Sequence, residues 1–309
     1  MRPTRRRATL VLLLCCLLLG LPLRVIAAAV LVVTGERGGA YDEAIEALRE
    51  RVTSRANRPT IADIDWDDYR DAPLEDTRIV VTVGSQAAQV VAQRNAAVPV
   101  LNILLPRAAF EAGRHRNGRA DHSAIFLDQP PTRQIAAIAE ALPQWKRVAL
   151  ISGPQTASLA AELAGTARAA GFDVSQAEID SERELYAAMR QTLPEPAILL
   201  AVPDRQIFNS HTIQNILLTS YRKHSPLFGF SPAYVRAGAL LGLYSTPAQI
   251  AAQAAEAVLA VLDGGPLPPA GHPEQFTIGI NATVARSLGI ELDRAEAIAA
   301  RIRQREEAQ

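Results

Sequence analysis

Short apolar runs alternate along this chain with stretches whose apolar residues return at helical spacing. Residues 28–34 (AAVLVVT) are nearly unbroken in apolar character and predict a buried strand. Tyr41, Ala44, Ile45, Leu48 and Val52 then fall three or four apart, so 41–54 predicts a helix. The cycle repeats as strand and helix at 78–83 and 86–94, 98–104 and 108–112, and 123–127 and 132–142. It continues at 148–151 and 156–170, 172–179 and 182–192, and 197–202 and 210–222. Strands follow at 227–230 and 239–244, then a helix at 247–262, a strand at 276–280 and a helix at 294–306. The polar segment 114–122 (RHRNGRADH) predicts a loop.

Several boundaries carry their own chemistry. Ser181 with Glu184, and Thr246 with Gln249 behind Pro247, have the capping-box pattern, and Asp293 with Glu296 resembles it. Gly171 stops the helix before it, and Asn281-Ala282-Thr283, which has the form of a glycosylation site, reads as a helix cap. Continuous apolar strands alternating with helices imply parallel sheets covered on both faces, which is an α/β architecture. The strands are too many for one small sheet. Asp128-Gln129-Pro130-Pro131 breaks the pattern near the middle, as a crossover between two lobes would, and 264–269 (GGPLPP) is a second breaker.

The N-terminus changes the compartment and the charge. Arg2, Arg5, Arg6 and Arg7 precede an apolar run at 8–23, and small residues follow around Ala27. That order is an export signal over 1–27, and it places the remainder in the periplasm. The run is shorter than the roughly 20 residues of a spanning helix, so cleavage is expected, with retention as an anchor the alternative. Cys15 and Cys16 do not follow the small residue of a lipobox, and Arg5-Arg6 lacks the rest of a twin-arginine pattern. The signal holds five arginines, no acid and both cysteines. Without it the chain has five more acidic than basic residues, which argues against nucleic acid as a partner. It also has no cysteine for a disulfide or a thiol nucleophile, so core burial must hold the fold.

Ligands of open α/β sheets bind beyond the carboxyl ends of strands, where helix N-termini present N–H groups. The predicted strands end at Thr34-Gly35-Glu36, Gly84-Ser85-Gln86, Pro106-Arg107, Asp128-Gln129, Ser152-Gly153, Pro203-Asp204, Ser231-Pro232 and Tyr244-Ser245-Thr246. Hydroxyls, glycines and a few charges suit a small polar ligand, and half of these ends are expected to be ordinary caps and turns. The glycine-rich loop 35–41 matches neither dinucleotide-binding nor P-loop spacing, and no cofactor is expected. Gly229-Phe230-Ser231-Pro232-Ala233 resembles a nucleophile elbow, with Asp263 and His272 following in the order of a serine hydrolase. Pro232, however, removes the backbone N–H that an oxyanion hole would use after the nucleophile. His115, His122, His211, His224 and His272 have no metal-ligand spacing, so no metal site is expected.

The stretch 231–240 (SPAYVRAGAL), then Tyr244-Ser245-Thr246-Pro247 and Gln253-Ala254-Ala255, resembles the ABC transporter substrate-binding protein family that includes tryptophan-binding TrpX-like proteins. Residues 276–281 followed by Ala285-Arg286-Ser287-Leu288-Gly289-Ile290 are similar to its closing strand and helix. The resemblance implies a type I periplasmic-binding-protein fold, with two doubly wound lobes, three crossovers and a ligand in the cleft. It implies a first lobe of 28–127 plus 243–264 and a second of 128–242 plus 273–309. Arg205 departs from the family's usual Asn after Pro203-Asp204, and 209–215 (NSHTIQN) is unlike the general pattern.

From this follows an expected function: a periplasmic binding component of an ABC importer, not an enzyme, acting as a monomer with an inner-membrane ABC permease. The solute is small and polar, and if it is amino-acid-like its groups divide among the strand ends. Ser85 and the helix start at Gln86 would take its carboxylate, Asp204 its ammonium, and Arg107 a second anionic group. Tyr41, Tyr234 or Tyr244 would pack its side chain. Asp128, Ser152, Asn209 and Ser231 complete the candidate set. The alternatives are a ligand-free envelope scaffold or sensor that binds another protein, and a serine hydrolase.

Overall fold

The computed structural model describes residues 28–35, 37–55, 59–94, 97–117 and 121–308, so the expected export signal at 1–27 lies outside the described residues. The first lobe is built on strands β1 (Val30–Thr34), β2 (Ile61–Asp65), β3 (Ile79–Val83), β4 (Val100–Leu105) and β5 (His122–Phe126), with helices α1 (Gly39–Thr53), α2 (Ser85–Gln93) and α3 (Arg107–Asn117) between them. The second holds β6 (Arg147–Ser152), β7 (Asp173–Glu178), β8 (Ile198–Ala201), β9 (Leu227–Gly229), β10 (Leu241–Tyr244) and β11 (Thr277–Ile280). Its helices are α4 (Pro131–Ala141), α5 (Ala157–Ala169), α6 (Leu185–Thr192), α7 (Ile213–Arg222), α8 (Pro232–Ala237), α10 (Ala282–Leu288) and α11 (Ala295–Glu307), while α9 (Pro247–Leu262) returns to the first sheet.

Strand order is β2-β1-β3-β4-β5 in one sheet and β11-β10-β9-β8-β6-β7 in the other. All pairs are parallel except β10 with β11. Strands β1, β3 and β4 are buried along their whole length, because helices cover both faces of a parallel sheet. On one face α1 and α9 pack Ile45, Leu48, Ile250 and Val258 against Val30, Val81 and Ile103. On the other, Val90 and Val91 of α2 meet Leu31, Val80 and Tyr69. The second sheet is covered in the same way, by α4, α5, α10 and α11 on one face and by α6 and α7 on the other. Among the described residues, no helix is long and apolar enough to cross a membrane.

Three elements differ from the pattern reading. Strand β2 (IADID) has only Ile64 buried, because it is an edge whose Asp63 and Asp65 pair with Arg37 and Arg49, so it carries too few apolar residues to read as a strand. Helix α3 continues to Asn117, through part of the segment expected as loop. Helix α8 occupies the sequence that resembled a nucleophile elbow, with Pro232 in its first turn.

Of the three proposed capping boxes, one forms. Thr246 accepts from Gln249 N–H at 3.1 Å, and the Gln249 side chain accepts from Thr246 N–H at 2.8 Å. The Ser181 hydroxyl instead donates to the Glu184 carboxylate at 3.0 Å, and Asp293 turns away to pair with Arg301 at 2.9 Å. Asn281 does cap α10, accepting from Thr283 and Val284 N–H, each at 3.1 Å. Thr246→Ala is expected to cost about 1 kcal/mol, read as a lower urea midpoint with an unchanged slope.

The chain leaves the first sheet after β5, returns between β10 and α9, and leaves again between α9 and β11. A buried polar network laces these crossovers together. Gln129 Nε2 donates to Ser245 Oγ at 2.8 Å, and Ser245 Oγ donates to the Gln275 carbonyl at 2.5 Å. Arg133, almost fully buried, donates to Gln129 Oε1 at 3.0 Å, to the Pro273 carbonyl at 2.7 Å and to the Glu306 carboxylate at 2.6 Å. Its guanidinium also lies 4.7 Å from the centre of the Phe276 ring.

Candidate binding site

Each sheet has one place where the strand order reverses, and connections there run to opposite sides and leave a crevice at the carboxyl ends. In the first sheet that place is between β1 and β3, which are followed by Gly35 and Gly84. In the second it is between β6 and β8, which end at Gly153 and the loop 202–205. The two crevices face each other. A cavity of about 240 Å³ is lined by Gly35, Tyr41, Val83, Gly84, Ser85, Gln86 and Gln89 from the first lobe and by Arg205 from the second.

Glycine is required where β3 turns into α2. Gly84 has φ +87, and a Cβ there would lie 2.9 Å from the Tyr41 ring and hydroxyl. The Tyr41 ring therefore lies against bare backbone, and the first turn of α2 lines the cavity without a side-chain cap across it. The N–H groups of a first helical turn have no partner inside the helix, so this one offers donors and the positive end of the helix dipole. A Cβ on Gly35 would come within 3.0 Å of Gln86 Cβ, so the β1 loop also needs glycine to lie this close to α2.

The expected site residues separate into groups. Tyr41, Ser85 and Gln86 meet at the cavity. Arg107 and Asp128 meet each other, since the Asp128 carboxylate accepts the Arg107 backbone N–H at 2.5 Å. The Arg107 side chain reaches across to Glu162 of α5 at 2.6 Å, and that carboxylate raises the guanidinium pKa above its ordinary value. This pair joins the two lobes outside the cavity lining.

Asp204, expected as an ammonium partner, is buried, and both its oxygens are engaged within its own lobe. Oδ2 accepts from Gly153 N–H at 3.0 Å and from the Thr156 hydroxyl at 2.6 Å. Oδ1 accepts from Gln206 N–H at 2.8 Å and from Ile207 N–H at 3.2 Å. Asn209 likewise holds its own turn, accepting from His211 and Thr212 N–H at 2.8 and 3.1 Å and donating to the Arg205 carbonyl at 3.0 Å. Tyr234 is a packing residue. Its hydroxyl donates to the Phe208 carbonyl at 2.7 Å, its ring centre is 4.5 Å from that of Phe230, and burial pushes its phenol pKa up to about 12. Tyr244 lies across Gly279, with its pKa raised by burial. Ser152 is buried at the end of β6, and Ser231 is the residue before α8.

The hydrolase order does not assemble. Asp263 pairs with Arg55 at 2.7 Å, and His272 Nδ1 is 2.9 Å from the Asp128 carbonyl. Among the described residues, no cluster of His, Cys, Asp or Glu could hold a metal ion. Gln89 and Arg205 are the polar cavity residues that sequence reasoning missed. Gln89 was marked by its place one turn after Gln86, and Arg205 by its place next to Asp204.

Solved structures similar to this chain share its architecture. The ABC domain in complex with L-Trp from Streptococcus pneumonia has 15% identity and a TM-score of 0.62, over 88% of this chain and 97% of that one. A ligand-free, open substrate-binding protein with adhesive properties from Clostridium difficile has 12% identity and a TM-score of 0.69, over 87% and 97%. An ABC transporter solute-binding protein from Agrobacterium vitis bound to α-D-tagatopyranose has 15% identity and a TM-score of 0.51, over 83% and 97%. At these identities the likeness shows the fold alone. No curated protein matches the sequence. The model of the ABC transporter substrate-binding protein family matches residues 69–303. That match covers well over half of the chain and agrees with the two facing α/β lobes, and the protein belongs to the ABC transporter substrate-binding protein family.

Proposed function

We propose that this protein captures a small polar solute, of amino-acid size and bearing a carboxylate, in the cleft between its lobes and delivers it to an ABC permease in the inner membrane. The observation that carries the reading is the uncapped first turn of α2, opening on a cavity that Arg205 completes from the other lobe. Family membership supports the rest, because these are non-catalytic solute-binding components of ABC import systems and act outside the cytoplasm with a permease. Ser85 and Gln86 would hold the carboxylate through N–H and side-chain donors, and the Tyr41 ring would pack against the organic part. Closure around the solute would bring Arg205 onto it, as hinge motion does in two-lobed binding proteins.

A thermal-shift screen tests this. A ligand that binds the folded state raises stability by mass action, by about 2.7 kcal/mol at a hundredfold excess over Kd. The protein is expected to gain several degrees in Tm with one small solute, and Gly84→Val, whose side chain would displace the Tyr41 ring from the cavity wall, is expected to remove that gain. A flat response to amino acids, organic acids, sugars and purines would favour a scaffold or sensor that binds another protein.

A further inference from the structure

Each crossover between the lobes can be followed bond by bond. In the first, the Leu127 N–H still donates to the Leu105 carbonyl at 2.9 Å, and the Asp128 carboxylate accepts from Arg107 of the first lobe. The next residue is held by the other lobe: Gln129 accepts from Arg133 through its side chain and from the Gln134 amide through its carbonyl, each at 3.0 Å. In the second, Tyr244 pairs with Thr277 in the second sheet, and Thr246 opens the helix that packs on the first. In the third, Gly271 is laced onto β5 by backbone bonds to Ala124 and Phe126, each 2.9 Å, and His272 Nδ1 lies 2.9 Å from the Asp128 carbonyl. The Pro273 carbonyl then accepts from Arg133 of the second lobe at 2.7 Å.

The chain thus passes from one lobe to the other at 128–129, 245–246 and 272–273. These links connect the lobes in parallel, so a rotation of one lobe against the other must be absorbed at all three together. A proline stands at each. Gln129 precedes Pro130, Thr246 precedes Pro247, and His272 precedes Pro273. Proline locks its own φ at about −65°, and its ring bars the residue before it from the helical region. Thr246 is accordingly extended, at φ −73 and ψ 155, and its capping box holds it there. Two glutamines of α9 add struts across the same boundary. Gln249 Oε1 accepts from the Thr277 hydroxyl at 3.2 Å, and Gln253 Oε1 accepts from the Glu274 N–H at 3.0 Å.

We infer that the hinge of this protein is stiff, and that the prolines at its three links confine the lobes to a narrow range about the separation seen here. The inference rests on the solute-binding reading above and adds how that site is controlled. A protein whose lobes swing wide spends much of its time unable to touch a solute from both sides, and its apparent affinity falls in proportion to the competent fraction. A narrow hinge keeps Arg205 facing the first turn of α2 before solute arrives, and solute enters by a small displacement.

The test measures the hinge without any ligand. Cys15 and Cys16 are replaced by serine, and spin labels are attached at Glu43→Cys and Arg183→Cys, exposed positions beyond the carboxyl ends of β1 and β7. Pulsed dipolar spectroscopy gives the distribution of their separation. The parent protein is expected to give one narrow peak. Pro130→Gly, Pro247→Gly and Pro273→Gly combined are expected to broaden it toward longer distances, and alanine at the same three positions to do so by less. Pro143→Gly, Pro194→Gly and Pro196→Gly, at exposed prolines in second-lobe loops, remove as many prolines away from the hinge and are expected to leave the peak unchanged. Urea midpoints establish that each variant is folded, and the alanine set decides the matter if the glycine set is not. A parent distribution that is already broad, a folded hinge variant with an unchanged peak, or equal broadening in the control would overturn the inference. Because no ligand enters, each of those results leaves the solute-binding reading standing, and that reading fails separately on a flat thermal-shift screen.

Discussion

Asp204→Ala is expected to lower the unfolding free energy by about 3 kcal/mol, since two of its four donors, the Gly153 and Ile207 N–H groups, make buried bonds to it and each buried donor left alone costs about 1–3 kcal/mol. Solute binding should be lost with it, because the loop that carries Arg205 is anchored through these bonds. Asp204→Asn separates the two roles. An amide keeps the shape but has one accepting oxygen where the carboxylate has two, so it can serve one pair of donors and must oppose the other with its NH₂. That variant should therefore also be destabilised, by less than the alanine. If Asp204 instead held a ligand ammonium, Asp204→Asn would fold with wild-type stability and lose only affinity. Urea unfolding without ligand distinguishes these outcomes.

The second large effect is expected at Arg133. Its guanidinium holds Gln129 from the first crossover, the Pro273 carbonyl from the third and Glu306 at the C-terminal helix, and Gln129 in turn holds Ser245 in the second. Arg133→Ala removes a buried cation, its stacking on Phe276 and the donors of several acceptors, at a cost of about 3–5 kcal/mol. Arg133→Lys should recover little of this, because one ammonium cannot reproduce a planar fork that bonds three partners at once. Since the network joins segments that connect the lobes, the loss should appear as a broadened or split unfolding transition, with the lobes no longer melting together. A single sharp transition at the wild-type urea midpoint would contradict this role.

The fold was legible because parallel strands buried on both faces must be continuously apolar, as 30–33 and 198–201 are, and because helices such as 247–262 repeat small apolar residues on one face. Strand β2 was not, because an edge needs charge more than apolar surface, and its carboxylates go to Arg37 and Arg49. The site was legible on one side only. A strand end reading Gly84-Ser85-Gln86 announces a helix start open to a ligand, and the cavity is there. On the other side Pro203-Asp204-Arg205 offered two charges, and the pattern pointed to Asp204 as the ligand's partner. The choice is made by Gly153 and Thr156, which are distant in sequence and meet Asp204 only after β6 and β8 pair in the folded sheet. Tyr234 and Tyr244 follow strands as a ligand platform would, and in the fold their side chains lie over Gly229 and Gly279 inside the second lobe.

On the proposed function, solute lies between the α2 N-terminus and Arg205. A crystal structure with the compound that raises Tm most tests it directly. The ligand's anionic group is expected on the backbone N–H groups at Ser85 and Gln86, its organic part against Tyr41, and the Arg205 guanidinium within hydrogen-bond distance. A ligand seated instead against Tyr234 and Tyr244, or with a cationic group on the Asp204 carboxylate, would contradict it.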